Sequence, residues 1–575
     1  MADKLQFQIQ DSAFSLEFLK ETFEFSNNTA QVIKDSFGPN GLDILLSTSS
    51  GTLLLTNDGF QVIKSLSASR PVGKLIFQGL TLFYKNAGDF SKKFILLLRE
   101  FLWEVLDIVS SVDKSSSSEQ ILCISQGLDE LLHKYILQEV FNQLQAMGVI
   151  HEFTEKIEDL PNFFTSVMKS SVIGKFSPKT CEIFISLLQQ LFDVEETSND
   201  VEHLKQRTEK LLDDFSNTVW EVPGKALAFS TVIPGIIIPR EFSTIIKKLP
   251  KSFESNSFKF VILASCHGYD LPRSAAVLSL KHSQHVDHVL RWRKQHIENL
   301  VKTLAQNKVE LIITSTKLHE TFVHICNQYH MAAIHLVSHE DILRISDAVG
   351  IHPLTELSCN LTQFIGVATS CKPIQVGQHV YTHLQLTKMF VKSMVLYAPT
   401  GELCHQYSVG LQNMLKILRS SFKQCPDKSW VVSYVPGGGT FELALANKLE
   451  EYRNLCKLNP NTMLACEILE KALLSVPRKL AENSNSNLST FDLRAKTRHA
   501  LAAGEPVCGL ERNGKLGFLI NKGVIEPTMA NYHLVSSVIQ LVIQILRTDK
   551  VIHVKTLPKK SVEVDSEGSD TDENM

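Results

Sequence analysis

The chain has 575 residues, 44% of them hydrophobic and 21% charged, with a formal net charge of −3. That length is too great for one compact core and predicts several folded domains, and the composition is that of a globular protein rather than a disordered one. Lys and Arg are spread along the chain without a basic stripe, which argues against nucleic acid as a partner. The eleven cysteines form no C-x-x-C pair and fit a reducing compartment. The start, MADKLQFQIQ, is not a basic segment followed by an apolar run, and no uninterrupted apolar stretch reaches the roughly 18–20 residues that span a bilayer. The expectation is a cytosolic protein with no transmembrane segment.

In chain order, apolar positions at helical spacing run from Leu16 to Ser36 and stop at the turn Gly38-Pro39-Asn40-Gly41. Two short β-type stretches, Asp43 to Leu46 and Thr52 to Leu55, predict a hairpin, and Thr56-Asn57-Asp58-Gly59 is the next turn. Helical periodicity from Val72 to Ile108 breaks once, at Gly88-Asp89, and Asp113 to Glu119 is a polar loop. Ile121 to Leu191 predicts several helices, followed by a charged segment at Glu195 to Arg207. Beyond Trp220 the β-rich runs Val232 to Ile238, Phe258 to Ala264 and Val309 to Thr314 alternate with an amphipathic helix, Arg291 to Gln306, which marks an α/β domain. Helices are predicted again at Tyr407 to Phe422, Phe441 to Lys457, Asn461 to Leu474 and Tyr532 to Leu546. The last fifteen residues, SVEVDSEGSDTDENM, lack large apolar groups and are expected to be a disordered acidic tail in which Ser566, Ser569 and Thr571 sit among carboxylates.

Taken singly, Gly-Pro-x-Gly and Asn-Asp-Gly are ordinary turn chemistry. In order, however, Gly38-Pro39-x-Gly41, Thr56-Asn57-Asp58-Gly59, Gly88-Asp89 and Val435-Pro436-Gly437-Gly438-Gly439-Thr440-x-Glu442 resemble the nucleotide-binding framework of the group II chaperonins. Leu473 to Asn483, Gly523 to Pro527 and Arg547 to Ile552 are similar to further segments of that family, and Asp341 to Gly350 matches its pattern after an apical strand. The resemblance implies an α/β multidomain chain with a mainly helical equatorial domain (1–139 and 403–556), a small intermediate domain (140–217 and 363–402) and an α/β apical domain (218–362), followed by the tail at 557–575.

Glycines suit such loops because a residue without Cβ lets backbone N–H groups approach phosphate oxygens and takes positive φ. The candidate nucleotide-binding residues are therefore Gly38, Pro39, Gly41, Asp58, Gly59, Gly88, Asp89, Lys92, Gly437, Gly438 and Gly439, with Asp58 and Asp89 as carboxylates for Mg²⁺ if ATP binds. Three departures from the family's pattern point to a degenerate site. Phe90 stands where the Gly-Asp loop continues with glycine, Asn413 stands where the family has its catalytic aspartate, and Phe518 aligns with an aspartate near the nucleoside. An amide cannot act as the base, so no catalytic residue is expected, and Lys92 or Lys93 is the candidate to reach a phosphate in compensation.

His282, His285 and His288 do not converge on one face of a helix as metal ligands require. No P-loop, nucleophile-elbow or zincin motif offers another catalytic frame. The loop Ala87 to Lys92, the stretch Lys416 to Arg419, Lys479 to Asn483 and the acidic C-terminus make the chain resemble, within the family, the chaperonin-like Bardet-Biedl proteins. That resemblance implies association with other such proteins, with conventional chaperonin subunits and with subunits of the BBSome, in cytoplasm near the cilium or basal body. An ATP-hydrolysing, ring-forming folding chaperonin is the competing reading, and the Ser- and His-rich stretch His267 to His288 is a candidate client-facing region.

Overall fold

The computed structural model describes residues 7–8, 14–47, 53–66, 71–111, 117–153, 160–193, 200–243, 257–264, 283–355, 361–386, 391–455, 458–548 and 553–554. The tail, the centre of the 44–56 hairpin, Cys266, Cys359, Cys456, His282 and most of His267 to His288 lie outside these residues.

The first core is helical and joins both ends of the chain. Helix Ser91–Ser110 is its centre, because Phe94, Leu98, Phe101, Val105 and Val109 recur at helical spacing and all are buried. It packs against helices Phe14–Ile33, Pro460–Leu473 and Thr528–Leu546. Burying each of its large apolar side chains is worth roughly 1.5–3 kcal/mol, so the core, not local propensity, fixes the helix. Helix Thr528–Leu546 is long and apolar enough to cross a membrane, yet polar Asn531 and Ser536 interrupt it and 61% of its apolar window is buried in this core.

A second core is built from helices Leu160–Val172, Pro178–Phe192 and Gly401–Ser420. It lies against a three-stranded sheet in which Lys392–Ala398 is central, parallel to Val219–Pro223 and antiparallel to Thr231–Pro234. Beyond it stands a six-stranded sheet in the order Ala332–Ile334, Val309–Thr314, Phe258–Leu263, Ile365–Val376, His379–Leu386, Ile236–Ile238. The first three strands run parallel, with helix Ser283–Gln306 between two of them in sequence, and the last three add antiparallel. Each face of this sheet carries its own apolar cluster.

Strand pairing moves the domain crossings away from the expected positions. Leu144, Val149 and Ile150 belong to the first core, so the chain leaves it after His151–Phe153 rather than at residue 140. Val219–Pro223 pairs with the central strand of the three-stranded sheet, and the entry into the six-stranded sheet comes at Ile236 rather than 218. Residues 365–386, assigned above to the intermediate domain, form two long strands of the six-stranded sheet, and the return comes at Lys392. The limits implied by the resemblance thus give way to the backbone pairing. Arg344 ties the two sheets together: its guanidinium donates to Asn217 O (2.6 Å), Thr218 Oγ1 (3.1 Å) and Lys392 O (3.3 Å) from the buried face of helix His339–Val349.

Candidate functional site

A cleft of about 1140 Å³ separates the first core from helices Leu160–Val172 and Pro178–Phe192 of the second. Gly38, Pro39, Gly41, Asp89, Lys92 and Gly438 line it, so the structure gathers much of the sequence-derived set at one place. Asp58 lies behind this wall and lines a smaller cavity of about 80 Å³ together with Asn413 and Lys175. Gly59, Gly88, Gly437 and Gly439 shape the turns without lining either space.

The 36–41 turn is closed on itself. Gly41 N donates to Gly38 O at 3.1 Å and Leu42 N to Asp35 O at 3.2 Å. Gly38 has φ +90°, and a Cβ on Gly41 would sit 2.2 Å from Ser36 O, so other residues would force the turn open. Asn483 holds it from outside, donating to Lys34 O and Phe37 O, both at 2.8 Å. Across the mouth, Asn40 and Arg512 exchange two hydrogen bonds, Arg512 Nε to Asn40 Oδ1 at 2.9 Å and Asn40 Nδ2 to Arg512 O at 3.0 Å.

The carboxylates are already engaged. Asp58 caps helix Gly59–Ser65: one oxygen accepts from Phe60 N at 3.2 Å and the other from Tyr84 Oη at 2.9 Å. Burial raises its pKa, and Asp89 adds to that while Lys175 and the hydrogen bonds oppose it. Asp89 pairs with Lys175 at 2.8 Å. Asn413 Nδ2 donates to Tyr84 Oη at 2.7 Å. An ionised carboxylate only accepts, so the phenol donates to Asp58 and must accept from Asn413, which fixes the amide's orientation. Asn413 Oδ1 is then buried without a hydrogen-bond partner among the described residues. Burial, with Asp58 beside it, lifts the Tyr84 pKa well above the ordinary phenol value, so the phenol stays a donor.

The two neighbouring lysines diverge. Lys92 Nζ donates to Ser36 O and Asn57 Oδ1, each at 2.5 Å. Burial and nearby Lys175 draw its pKa down to about 8, against the pull of Asp89, Asp58 and Asp43. Lys93 also lines the cleft but pairs with Glu442 at 2.9 Å and Glu526 at 2.7 Å. Burial alone would lower the Lys93 pKa, and the two carboxylates outweigh it and raise it. Of the two lysines proposed to reach a phosphate, Lys93 is thus already ion-paired to two glutamates.

Phe90 lines the cleft and adopts φ +65°, ψ +11°, the left-handed backbone a glycine takes easily. A bulky residue there is strained, at a cost of about 1–3 kcal/mol. The loop keeps its shape because helix Ser91–Ser110 and the Asp89–Lys175 pair hold both sides of it. Phe518 does not line the cleft and is 48% exposed; the neighbouring Leu519 and Glu526 line it instead. Its alignment therefore identifies no nucleoside contact. Lys175 and Tyr84 were missed from the sequence, since an isolated Gly-Lys at the end of one helix and a lone tyrosine inside another carry no spacing signal.

The glycine turns and the cleft's size suit a phosphate-bearing ligand. The Mg²⁺ set does not fit as it stands, because both oxygens of Asp58 are hydrogen-bonded, Asp89 is ion-paired, and Lys92 already brings a positive charge to the turn. Among the described residues no group of three or more His, Cys, Asp or Glu could hold a metal ion.

A helical layer carrying these four turns in order, a hinge layer with a central return strand and a third layer around a mixed sheet define a chaperonin subunit. The profile of the TCP-1/cpn60 chaperonin family matches residues 29–556, and the chain belongs to that family. It is similar to the thermosome subunit alpha of Archaeoglobus fulgidus, 22% identical over 552 residues that cover 95% of this chain and 93% of the relative. It is likewise similar to the thermosome subunit alpha of Aeropyrum pernix, 21% identical with 94% and 92% covered. The thermosome subunit beta of Thermoplasma acidophilum is 21% identical, with 93% and 92% covered.

Proposed function

We propose that this chain is a chaperonin-like folding and assembly factor whose cleft does not turn over ATP efficiently. The observation that carries this reading is the chain Asn413–Tyr84–Asp58. At the position of the family's catalytic aspartate stands an amide that donates at 2.7 Å to a phenol, which in turn holds Asp58 at 2.9 Å. No carboxylate there is available to take a proton from an attacking water, and loss of a positioned base costs about 10²–10⁴-fold in rate.

The finer reading is a chaperonin-like Bardet-Biedl protein, most like the tenth of that group. The loop Ala87-Gly88-Asp89-Phe90-Ser91-Lys92, the stretch Lys416 to Arg419, Lys479 to Asn483 and the acidic C-terminus support it. On this reading the chain acts in cytoplasm near the cilium or basal body. Its partners are other chaperonin-like Bardet-Biedl proteins, conventional chaperonin subunits and BBSome subunits. ATP is then at most a bound ligand.

A second reading, a hydrolysing ring-forming chaperonin, is favoured by the retained cleft and by the Phe90 backbone, which keeps the glycine-like conformation at φ +65°. Affinity capture of the tagged chain from ciliated cells, with and without ATP, separates the two. Recovery of chaperonin and BBSome subunits in an ATP-insensitive complex is the expected result. Diverse clients released by ATP from rings of this chain would contradict it.

A further inference from the structure

The Lys92 side chain is an unusual occupant of a glycine-turn site. It is 9% exposed, and its ammonium bridges two neutral oxygens on different segments, Ser36 O of the 36–41 turn and Asn57 Oδ1 of the Asn-Asp-Gly turn. Neither oxygen carries charge, so this is not a salt bridge. Neutral oxygens closing on one positive centre are the type of ligand, though not the full number, that an oxygen-coordinated small cation takes. Asp43, Asp58 and Asp89 lie within electrostatic reach of the same ammonium, as does a second cation, Lys175.

The stem is fitted as closely as the head. A Cβ on Gly59 would lie 2.5 Å from Lys92 Cγ and 2.8 Å from Ser91 Oγ, so the glycine of the Asn-Asp-Gly turn makes room for the lysine stem to pass. The partner Asn57 is 3% exposed and its Nδ2 donates to Leu42 O at 2.9 Å, which fixes Oδ1 toward the ammonium. Head, stem and both acceptors are thus held by separate contacts from three segments of the first core.

We infer that the Lys92 ammonium is a tethered internal cation that replaces a bound inorganic one, holding the 36–41 turn and the Asn57–Gly59 turn in their ligand-ready arrangement without nucleotide or metal. The inference rests on the reading of a cleft that does not turn over ATP and names what closes it. The chain is self-liganded here, because the ammonium already occupies Ser36 O and Asn57 Oδ1. Nucleotide that enters meets a turn already braced from within by a positive charge, and its binding need not change the conformation of the chain.

The test is chemical rescue. Lys92→Ala in the full-length chain is melted in choline chloride, potassium chloride and ammonium chloride at equal ionic strength, beside the wild-type chain. The expected result is a melting temperature about 3 °C or more below wild type in choline, recovered by at least half in potassium or ammonium, with wild type indifferent to the three salts. A loss that no small cation restores, or no loss at all, overturns the inference. Should the variant fail to fold, hydrogen exchange on the wild-type chain decides: the Gly41 and Leu42 amides are expected to be equally protected in choline and in potassium without nucleotide, and protection that depends on potassium overturns it. ATP turnover of the wild-type chain is measured alongside. Turnover with rescue intact counts against the functional reading alone, and failed rescue without turnover counts against this inference alone.

Discussion

Lys92 and Lys93 are adjacent in sequence and both buried at the start of one helix, yet their surroundings differ in kind. Lys92 faces two neutral oxygens and its pKa falls to about 8, whereas Lys93 faces Glu442 and Glu526 and its pKa rises. For Lys92 the loss of hydration is the larger effect, and for Lys93 the two opposing charges are. The lesson is that one corner of the first core is stapled by charge, and the other is braced by hydrogen bonding around a cation that remains costly to bury.

The largest expected effect comes from breaking the charge staple. Lys93→Met leaves two carboxylates buried without a counter-charge, an event worth about 3–5 kcal/mol. Adding Glu442→Gln recovers part of that loss. Denaturant midpoints of the two variants check it, and a single-variant loss under about 1 kcal/mol would show the pair to be no stronger than an exposed one.

A smaller effect comes from the strained corner beside the lysines. Phe90→Gly relieves a left-handed backbone worth about 1–3 kcal/mol and gives up ring packing, so the two terms offset and stability moves by less than about 1 kcal/mol. Phe90→Ala keeps the strain and loses the ring, and is expected to be the less stable of the pair. The same midpoints read out both, and Ala equal to or above Gly would remove strain from the account.

Much of this arrangement was legible in the sequence. The four glycine turns announce themselves by residue type and order, and Gly38, Asp89 and Gly438 line one cleft while Asp58 lines a separate cavity. The helices also fall near their predicted limits, since Ser91–Ser110 and Thr528–Leu546 are dense with apolar residues at a helical period. The predicted strands at Phe258–Leu263 and Val309–Thr314 are present, whereas His151–Phe153 and Trp430–Pro436 were not read from the sequence, because they pair across more than 270 residues. The π-helical turn at Leu131–Val140 inside an otherwise regular helical run was equally hidden. At the site, Asn413 was found because a motif position was missing its carboxylate, while Tyr84, which joins it to Asp58, and Lys175, which pairs with Asp89, act only through tertiary contact. The domain limits implied by the resemblance shift for the same reason, because Ile365–Val376 and His379–Leu386 declare their sheet only through their strand partners.

The measurement that bears most directly on the account is ATP turnover by the purified wild-type chain, with Asn413→Asp beside it, using labelled nucleotide in excess over enzyme. No multiple turnover above background is expected for the wild-type chain, and a measurable gain is expected in Asn413→Asp, where a carboxylate again stands at that position. Sustained turnover by the wild-type chain that Asn413→Ala leaves unchanged would contradict it, since the Asn413–Tyr84–Asp58 chain would then have no bearing on the chemistry of the cleft.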